Sequence, residues 1–349
     1  MVQNKMNSLF LSYIVPCYNI EEQLPKCIES LEKQSVEGHN VEFIMINDGS
    51  KDGTLKLIRQ FAERDSRVVV LDQENQGVCA ARNNALAIAK GEYVFFLDGD
   101  DILTDDASQK MYEACKDKMP DILLMNNYKV WEGHPESAKI WIDYARCIEQ
   151  GIYRKDDFLE KAKFIPISFK LYKLDLLKTN GILFDRQLRV GEVYTFFIHS
   201  LAFAKTIGVS YVPVMYYLRR IGDSATTSVN FERDLTILDT LHILLDYVDK
   251  YEPELRNKRA FLSPLFFLVT AFYLIKYVGC IKYNNEVGNL MNIVKQDDEY
   301  RKLLVYFTGI GASKDKYTLL AFAIRYLPTR VAYNIISCYY QYATRNREE

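Results

Sequence analysis

The chain is short of the side chains that build metal cages and disulfide scaffolds. Only four His occur in 349 residues, and none of the seven Cys sits in a CxxC pair. Zinc-type ligand spacing is absent, and an odd number of scattered thiols in a chain of this length argues against a disulfide framework. Free thiols in a reducing cytoplasm are the simple expectation. Glycine (16) and proline (9) are too few for a collagen-like or low-complexity chain. An excess of one charge is also missing: 44 Lys+Arg against 46 Asp+Glu leave −2, without the basic surplus of a nucleic-acid binder. Three glycine-built signatures are lacking as well. There is no GxGxxG after the first strand, no GxxxxGK[ST] and no GxSxG. A Rossmann dehydrogenase, a P-loop kinase or ATPase, and an α/β-hydrolase are disfavoured accordingly.

What is present is apolar surface. Hydrophobic residues make up 49%, and 25 Tyr and 19 Phe raise the aromatic share to 13%. Such a chain buries a sizeable core, and its length suits about two domains. The apolar run Leu9–Val15 follows Lys5 but precedes no small-residue cleavage site. It reads as a first core strand rather than a signal peptide. The segment Phe261–Ile281 is apolar apart from Lys276 and a few small or weakly polar residues, with Pro264 near its start. A buried or interfacial helix is favoured there over a spanning one.

Periodicity divides the chain. Up to about residue 125, strand-like runs alternate with helical spacing. Strands are expected at Leu9–Val15, Val41–Ile46, Arg67–Leu71, Glu92–Leu97 and Asp121–Met125. Helices are expected at Glu21–Gln34 (with Asn19 as N-cap and Glu22 completing a capping box), Asp52–Glu63, Gln76–Ala89 (ended by Gly91) and Asp105–Lys116. Continuous apolar strands separated by helices imply an α/β fold with a mostly parallel sheet covered on both faces. Residues 126–230 read as irregular, with mixed signals. Beyond Phe231 the pattern is helical, with Leu235, Leu238, Leu241 and Leu245 in register. From 301 onward eight Lys/Arg face three acids, Asp315, Glu348 and Glu349.

Open parallel sheets bind ligands beyond the carboxyl ends of their strands. Four such ends carry polar groups: Pro16-Cys17-Tyr18-Asn19, Asn47-Asp48-Gly49-Ser50, Asn75-Gln76-Gly77 and Asp98-Gly99-Asp100-Asp101. Three carboxylates in four residues repel one another unless a cation is present, and hard ions such as Mn²⁺ or Mg²⁺ take carboxylate oxygen. A turn with a helix cap would use the same residues. Asp48 either accepts an N–H from a nucleobase or holds a backbone turn. Tyr18 either packs on a base or lies on the sheet edge. Gly77 precedes a helix N-terminus suited to an anion. Arg82, one turn on, either adds charge there or pairs with the acidic cluster.

Together these segments resemble the inverting family 2 glycosyltransferases with a GT-A fold. The resemblance rests on Ile14–Asn19, on Asn47–Ser50 with Asp52-Gly53-Thr54, and on Asn75-Gln76-Gly77 with Ala81-Arg82-Asn83. It also rests on Gly91-Glu92-Tyr93 leading to Leu97–Asp101. More loosely it continues through Phe169–Lys173, Ile182-Leu183-Phe184 and Tyr216-Tyr217-Leu218-Arg219 with Ser224. It implies a GT-A catalytic domain over 8–228 (nucleotide half about 8–125, acceptor half about 126–228) and a helical region over 229–349. It implies Pro16, Tyr18 and Asp48 at the nucleoside, Asp98 at the ribose, and Asp100 on a Mn²⁺ or Mg²⁺ bridging the diphosphate. Asp101 supports the turn, and Gly77 and Arg82 lie near the phosphates. The general base of such enzymes usually follows an acid in a Glu-Asp pair. Here the stretch reads Val190-Gly191-Glu192-Val193, so the role falls to Glu192 or, if the match is shifted, to Asp185. The function implied is sugar transfer from a UDP-sugar to a glycan or lipid-linked acceptor in surface-polysaccharide assembly. An inactive sugar-nucleotide-binding subunit is the alternative that Val193 motivates. The basic, aromatic C-terminal region (Phe266, Phe267, Phe272 and Tyr273, then Tyr317–Tyr326 and Tyr333–Tyr342) suggests a cytoplasmic protein held peripherally on the inner membrane face.

Overall fold

Buried strands and amphipathic helices alternate as their sequence periods dictate. A computed structural model describes residues 8–163, 170–219, 231–257, 261–262, 285–308, 321 and 323–334. The chain divides into two units, 1–186 with 196–220 and 187–195 with 221–349.

In the first unit β1 (Ser8–Cys17), β2 (His39–Asp48), β3 (Val68–Gln73) and β4 (Tyr93–Phe96) pair in parallel. They are joined by α1 (Leu24–Glu32), α2 (Thr54–Arg64) and α3 (Val78–Ile88). Then come β5 (Ile102–Leu103), α4 (Ala107–Cys115), β6 (Ile122–Trp131), β7 (His134–Ile142), β8 (Gly151–Arg154) and α5 (Lys155–Lys161). β9 (Lys170–Lys173), α6 (Leu174–Thr179), α7 (Glu192–Phe203) and β10 (Thr206–Arg219) follow, residues 192–195 of α7 belonging to the second unit. The sheet order is β3-β2-β1-β4-β9-β6-β10-β5, with β7 on β6 and β8 on β10. β9 is antiparallel to both β4 and β6, so β6, and β10 parallel to it, run in the direction of β1–β4. The result is an α/β fold with a mostly parallel, mixed sheet.

β1 and β2 are buried along their last eight residues, as continuous apolar strands covered on both faces should be. One face carries Tyr13, Phe43, Phe95, Leu123 and Leu171 against α1, α2 and α4. On the other, Phe96, Tyr172, Phe184 and Phe196 interlock, with Phe184 and Phe196 stacked at 4.0 Å. The buried Gln34 amide is fully engaged. Gln34 donates to Ser30 O and Thr104 O and accepts from Ser108 N and Oγ. The five cysteines among the described residues are free and buried.

Several expectations change. Asn19 is not an N-cap: it has φ 51°, and its Oδ1 accepts from Lys51 N. α1 starts only at Leu24, with Pro25 in its first turn, a place a helix tolerates proline. Gly91 does not terminate α3, which ends at Ile88. A Cβ on Gly91 would stand 2.5 Å from Ser12 N, so glycine is needed there for close approach to β1. The described residues of 126–219 are not irregular: they carry most of β6 and all of β7, β8, β9 and β10. β6 alone continues to Trp131.

The second unit is helical among its described residues: α8 (Phe231–Tyr251), a short 3-10 turn (Pro253–Asn257), α9 (Asn285–Gln296) and α10 (Asp298–Thr308). The buried stripe of α8 is Ile237, Leu241, Leu244, Leu245 and Val248, with Ile237 in the place expected for Leu238. Arg256 clamps the unit, donating to Asp249 at 2.6 Å and to Glu299 at 2.8 Å. No helix of the described residues is long and apolar enough to cross a membrane. Residues 263–284, Phe266, Phe267, Phe272 and Tyr273 among them, lie outside the described residues. So do Phe169, Ser224 and most of the aromatic tail.

Candidate active site

The carboxyl ends of β1–β4 share one edge of the sheet, as parallel pairing requires, and their loops interlock. Asn19 N donates to Ser50 Oγ, Ile20 N to Thr54 Oγ1, and Gly53 N to Glu21 Oε2. Gly49, at φ 71°, lies flush against the next loop, where a Cβ would meet Asn75 N at 2.6 Å. Gly99 abuts the end of β1: its Cβ would lie 3.1 Å from both Pro16 O and Cys17 Sγ. Small residues thus let four loops converge. Pro16 is buried within β1, whereas Tyr18 is 47% exposed beside it.

Asp48 ends β2 and is buried. Its Oδ1 accepts from Gln73 Nε2 (2.8 Å) and Gln76 N (2.9 Å), and its Oδ2 accepts from Gly77 N (2.9 Å). Gly77 is the N-cap of α3, with φ 87°. Asp48 therefore holds a turn, but that of the neighbouring β3–α3 loop rather than its own. A carboxylate offers about four acceptor positions, so a place remains on Oδ2 for another donor.

The acidic motif follows β4. Arg82 is buried on α3. Its Nη2 donates to Asp98 Oδ1 at 2.7 Å, and its guanidinium carbon stands 5.1 Å from the Phe184 ring centroid. Of the two roles open to it, Arg82 takes the bracing one here. Asp101 is buried, and its Oδ1 accepts from Leu218 N on β10, tying the motif to the far side of the sheet. Asp100 is half-buried. Burial pushes the Cys17 thiol up, and Asp100 and Asp98 add to the shift, which places both carboxylates near the end of β1. Among the described residues no cluster of three or more His, Cys, Asp or Glu forms a cation cage. Asp101 accepts from Leu218 N and Asp98 from Arg82 Nη2, so two carboxylates of the motif are engaged within the protein. One or two carboxylates suit a Mg²⁺-type ion that draws its other ligands from phosphates and water. The carboxylates of the motif are hard oxygen donors of the kind such an ion takes.

Other residues are joined at this edge by contacts that the sequence does not signal. Asn83 on α3 exchanges two 2.8 Å hydrogen bonds with the backbone of Phe184. Arg186 donates to Gln76 Oε1 at 3.1 Å. The segment 184–186, with half-buried Asp185, is thereby fastened to α3. Pairs about a hundred positions apart obey no spacing rule. Glu192 opens α7 and belongs to the second unit, where it is half-buried. Gly191 before it has φ 81°, and a Cβ there would meet Thr240 Cγ2 at 2.5 Å. The Thr240 hydroxyl donates to Val190 O, so α8 fixes the turn that launches α7.

Residues 12–180 match the model of the family described as "Glycosyl transferase family 2". A poly(ribitol-phosphate) beta-glucosyltransferase of Bacillus spizizenii is 30% identical over 215 residues, 60% of this chain and 32% of that protein. Glycosyltransferase GlyG of Streptococcus pneumoniae serotype 4 is 31% identical over 199 residues, 54% of this chain and 65% of that protein. The chain spans less than two thirds of the length of these curated relatives. Among solved structures, S. aureus TarS 1-349 in complex with UDP-GlcNAc superposes with a TM-score of 0.67 at 18% identity. The match covers 95% of this chain and 92% of that one, which establishes a shared fold.

Proposed function

Since the chain belongs to glycosyl transferase family 2, we propose that it moves a sugar from a UDP-sugar to a glycan or lipid-linked acceptor in cell-surface polysaccharide assembly, inverting the anomeric centre. The observation that carries this reading is the convergence of Asp48, Gly77, Arg82, Asp98 and Asp100 on one sheet edge, held by hydrogen bonds between loops. We assign transfer to residues 8–228, with 229–349 as a helical accessory region.

In this reading the half-exposed Tyr18 ring packs on the uracil beside Pro16, and Asp48 uses its remaining acceptor position on the uracil edge. Asp98, oriented by Arg82, contacts the ribose. The Gly77 turn opens α3 toward the phosphates, where a helix N-terminus favours negative charge. Asp100 holds the Mn²⁺ or Mg²⁺, which when bound supplies positive charge against the departing diphosphate. Glu192 takes the proton of the acceptor hydroxyl as that oxygen attacks the anomeric carbon from the opposite face. Two relatives or neighbours with UDP-GlcNAc or poly(ribitol-phosphate) in their descriptions support a UDP-sugar donor and a surface-polymer acceptor.

The test is UDP release from a panel of UDP-sugars with and without Mn²⁺. Turnover that needs the metal and disappears in Asp100→Ala is expected. UDP binding with no turnover on any donor would favour the second reading, a non-catalytic sugar-nucleotide-binding subunit, for which Val193 is the specific motive. The basic tail supports a peripheral place on the inner membrane face. Flotation with anionic vesicles at low salt is expected to carry the protein upward, and its absence would remove that assignment.

A further inference from the structure

Arg186 ends the segment 184–186 that Asn83 fastens to α3 through two bonds to Phe184, and it is exposed. Its Nη2 donates to Gln76 Oε1 at 3.1 Å. Gln76 gives its own backbone N–H to Asp48 Oδ1, and Gly77 gives its N–H to Asp48 Oδ2. The guanidinium is thus placed one side chain away from the carboxylate that anchors the start of α3. Its partner there is a neutral amide. Among the described residues Arg186 forms no ion pair, neither with Glu74 of the β3–α3 loop nor with its neighbour Asp185. Gln73, which bonds Asp48 and Asn84, is an amide as well, and the first turn of α3 carries no acid.

A strap alone does not need a charge. Asn83 already holds Phe184 at both its N–H and its C=O, and Gln76 Oε1 can be met by any neutral donor. The charge is also set at an edge rich in carboxylates. Asp48, Asp98, Asp100 and Asp101 gather there, with Arg82 bonded to Asp98. An anionic donor entering such an edge is repelled unless cations meet it. A guanidinium holds five N–H donors, and the bond to Gln76 occupies one of them. The others include the planar fork that matches a phosphate or a carboxylate with two parallel bonds.

We infer that Arg186 binds an oxyanion of the nucleotide-sugar donor, supplied by its diphosphate or by a carboxylate on the sugar to be transferred. The inference rests on the glycosyltransferase reading given above. Gln76 orients the guanidinium, and Asn83 fixes the backbone that carries it. Arg186 then adds to the affinity for the charged part of the donor and nothing to that for the nucleoside.

Calorimetric titrations of the full-length protein, with Mn²⁺ present, compare Arg186→Met and Arg186→Lys with the parent. The ligands are uridine, UMP, UDP, UDP-glucose and UDP-glucuronate. Arg186→Met is expected to bind uridine as the parent does and UDP about tenfold more weakly, as loss of one charge-assisted contact implies. Arg186→Lys should recover part of that loss, since it keeps the charge without the fork. A deficit that already appears with UMP or UDP assigns the contact to the phosphates. One confined to UDP-glucuronate, with UDP and UDP-glucose unchanged, assigns it to a carboxylate on the sugar. Equal weakening of uridine and UDP would reveal a merely structural strap, and unchanged affinity for every ligand an idle surface charge; either result overturns the inference. If the parent binds no uridine compound, the UDP-sugar reading fails instead, and inorganic pyrophosphate becomes the probe. Pyrophosphate binding that Arg186→Met loses keeps the anion site, and its absence overturns that as well.

Discussion

Arg82 Nη2 stands 2.7 Å from Asp98 Oδ1, but the two side chains differ in exposure: 4% for the arginine and 37% for the aspartate. The pair is therefore unequal. Removing the carboxylate takes an ion-pair partner from a buried cation, whereas removing the guanidinium leaves an acid that water can reach. Asp98→Asn is expected to destabilise the protein by about 2–3 kcal/mol and Arg82→Met by less, about 1 kcal/mol. Urea denaturation of the two variants at unchanged slope decides it. A larger loss in Arg82→Met would show that its packing on Phe184 outweighs the ion pair.

Asp48 joins two loops through acceptor bonds alone. Asparagine has the same shape but turns an NH₂ toward either Gln76 N or Gly77 N, setting donor against donor. Asp48→Asn should therefore cost about 1–2 kcal/mol locally and raise hydrogen exchange at Gln76 and Gly77. It should also weaken UDP binding. Native protection at both amides would remove Asp48 as the link between β2 and the start of α3.

The first four strands and their shared edge were legible because buried parallel strands read as unbroken apolar runs, and each run here ends on a polar turn. The acidic motif was legible for the same reason. Asn19 misled because Asn-x-x-Glu fits a capping box, while a bond to Lys51 thirty-two residues away holds it in a left-handed conformation. Gly91 misled because its contact with β1 is non-local. β9 had no local signal: four residues enter between β4 and β6 only through tertiary pairing. The β6–β7 hairpin did have one, since Glu132-Gly133 between Trp131 and His134 is a two-residue turn with Gly133 at φ 80°.

Lys170 on β9 is buried, with its Nζ 4.0 Å from the Phe197 ring centroid, and burial lowers its pKa to about 7. Between that value and the ordinary lysine range the unfolded chain binds more protons than the folded one, so this residue makes stability rise with pH. The penalty is greatest below about pH 7. Lys170→Met should thus be more stable than the parent by about 1–3 kcal/mol at pH 6, with the gap narrowing toward pH 10. Denaturant midpoints at pH 6, 7.5 and 9 test this. A pH-independent difference would mean that Lys170 is charged throughout.

Gly191 and Thr240 meet where α7 begins. A methyl on Gly191 suffers twice, from the left-handed φ of 81° and from Thr240 Cγ2 at 2.5 Å. Gly191→Ala is expected to cost about 2–3 kcal/mol and to lower turnover by displacing Glu192, the next residue. The two causes can be separated. Thr240→Ser deletes Cγ2 but keeps the hydroxyl that donates to Val190 O, so in the Gly191→Ala background it should recover the steric part and leave the backbone strain. About half of the lost stability should return. Recovery of turnover in step with stability would tie Glu192 to this turn, whereas stability regained without turnover would point to a base elsewhere, with Asp185 the next candidate.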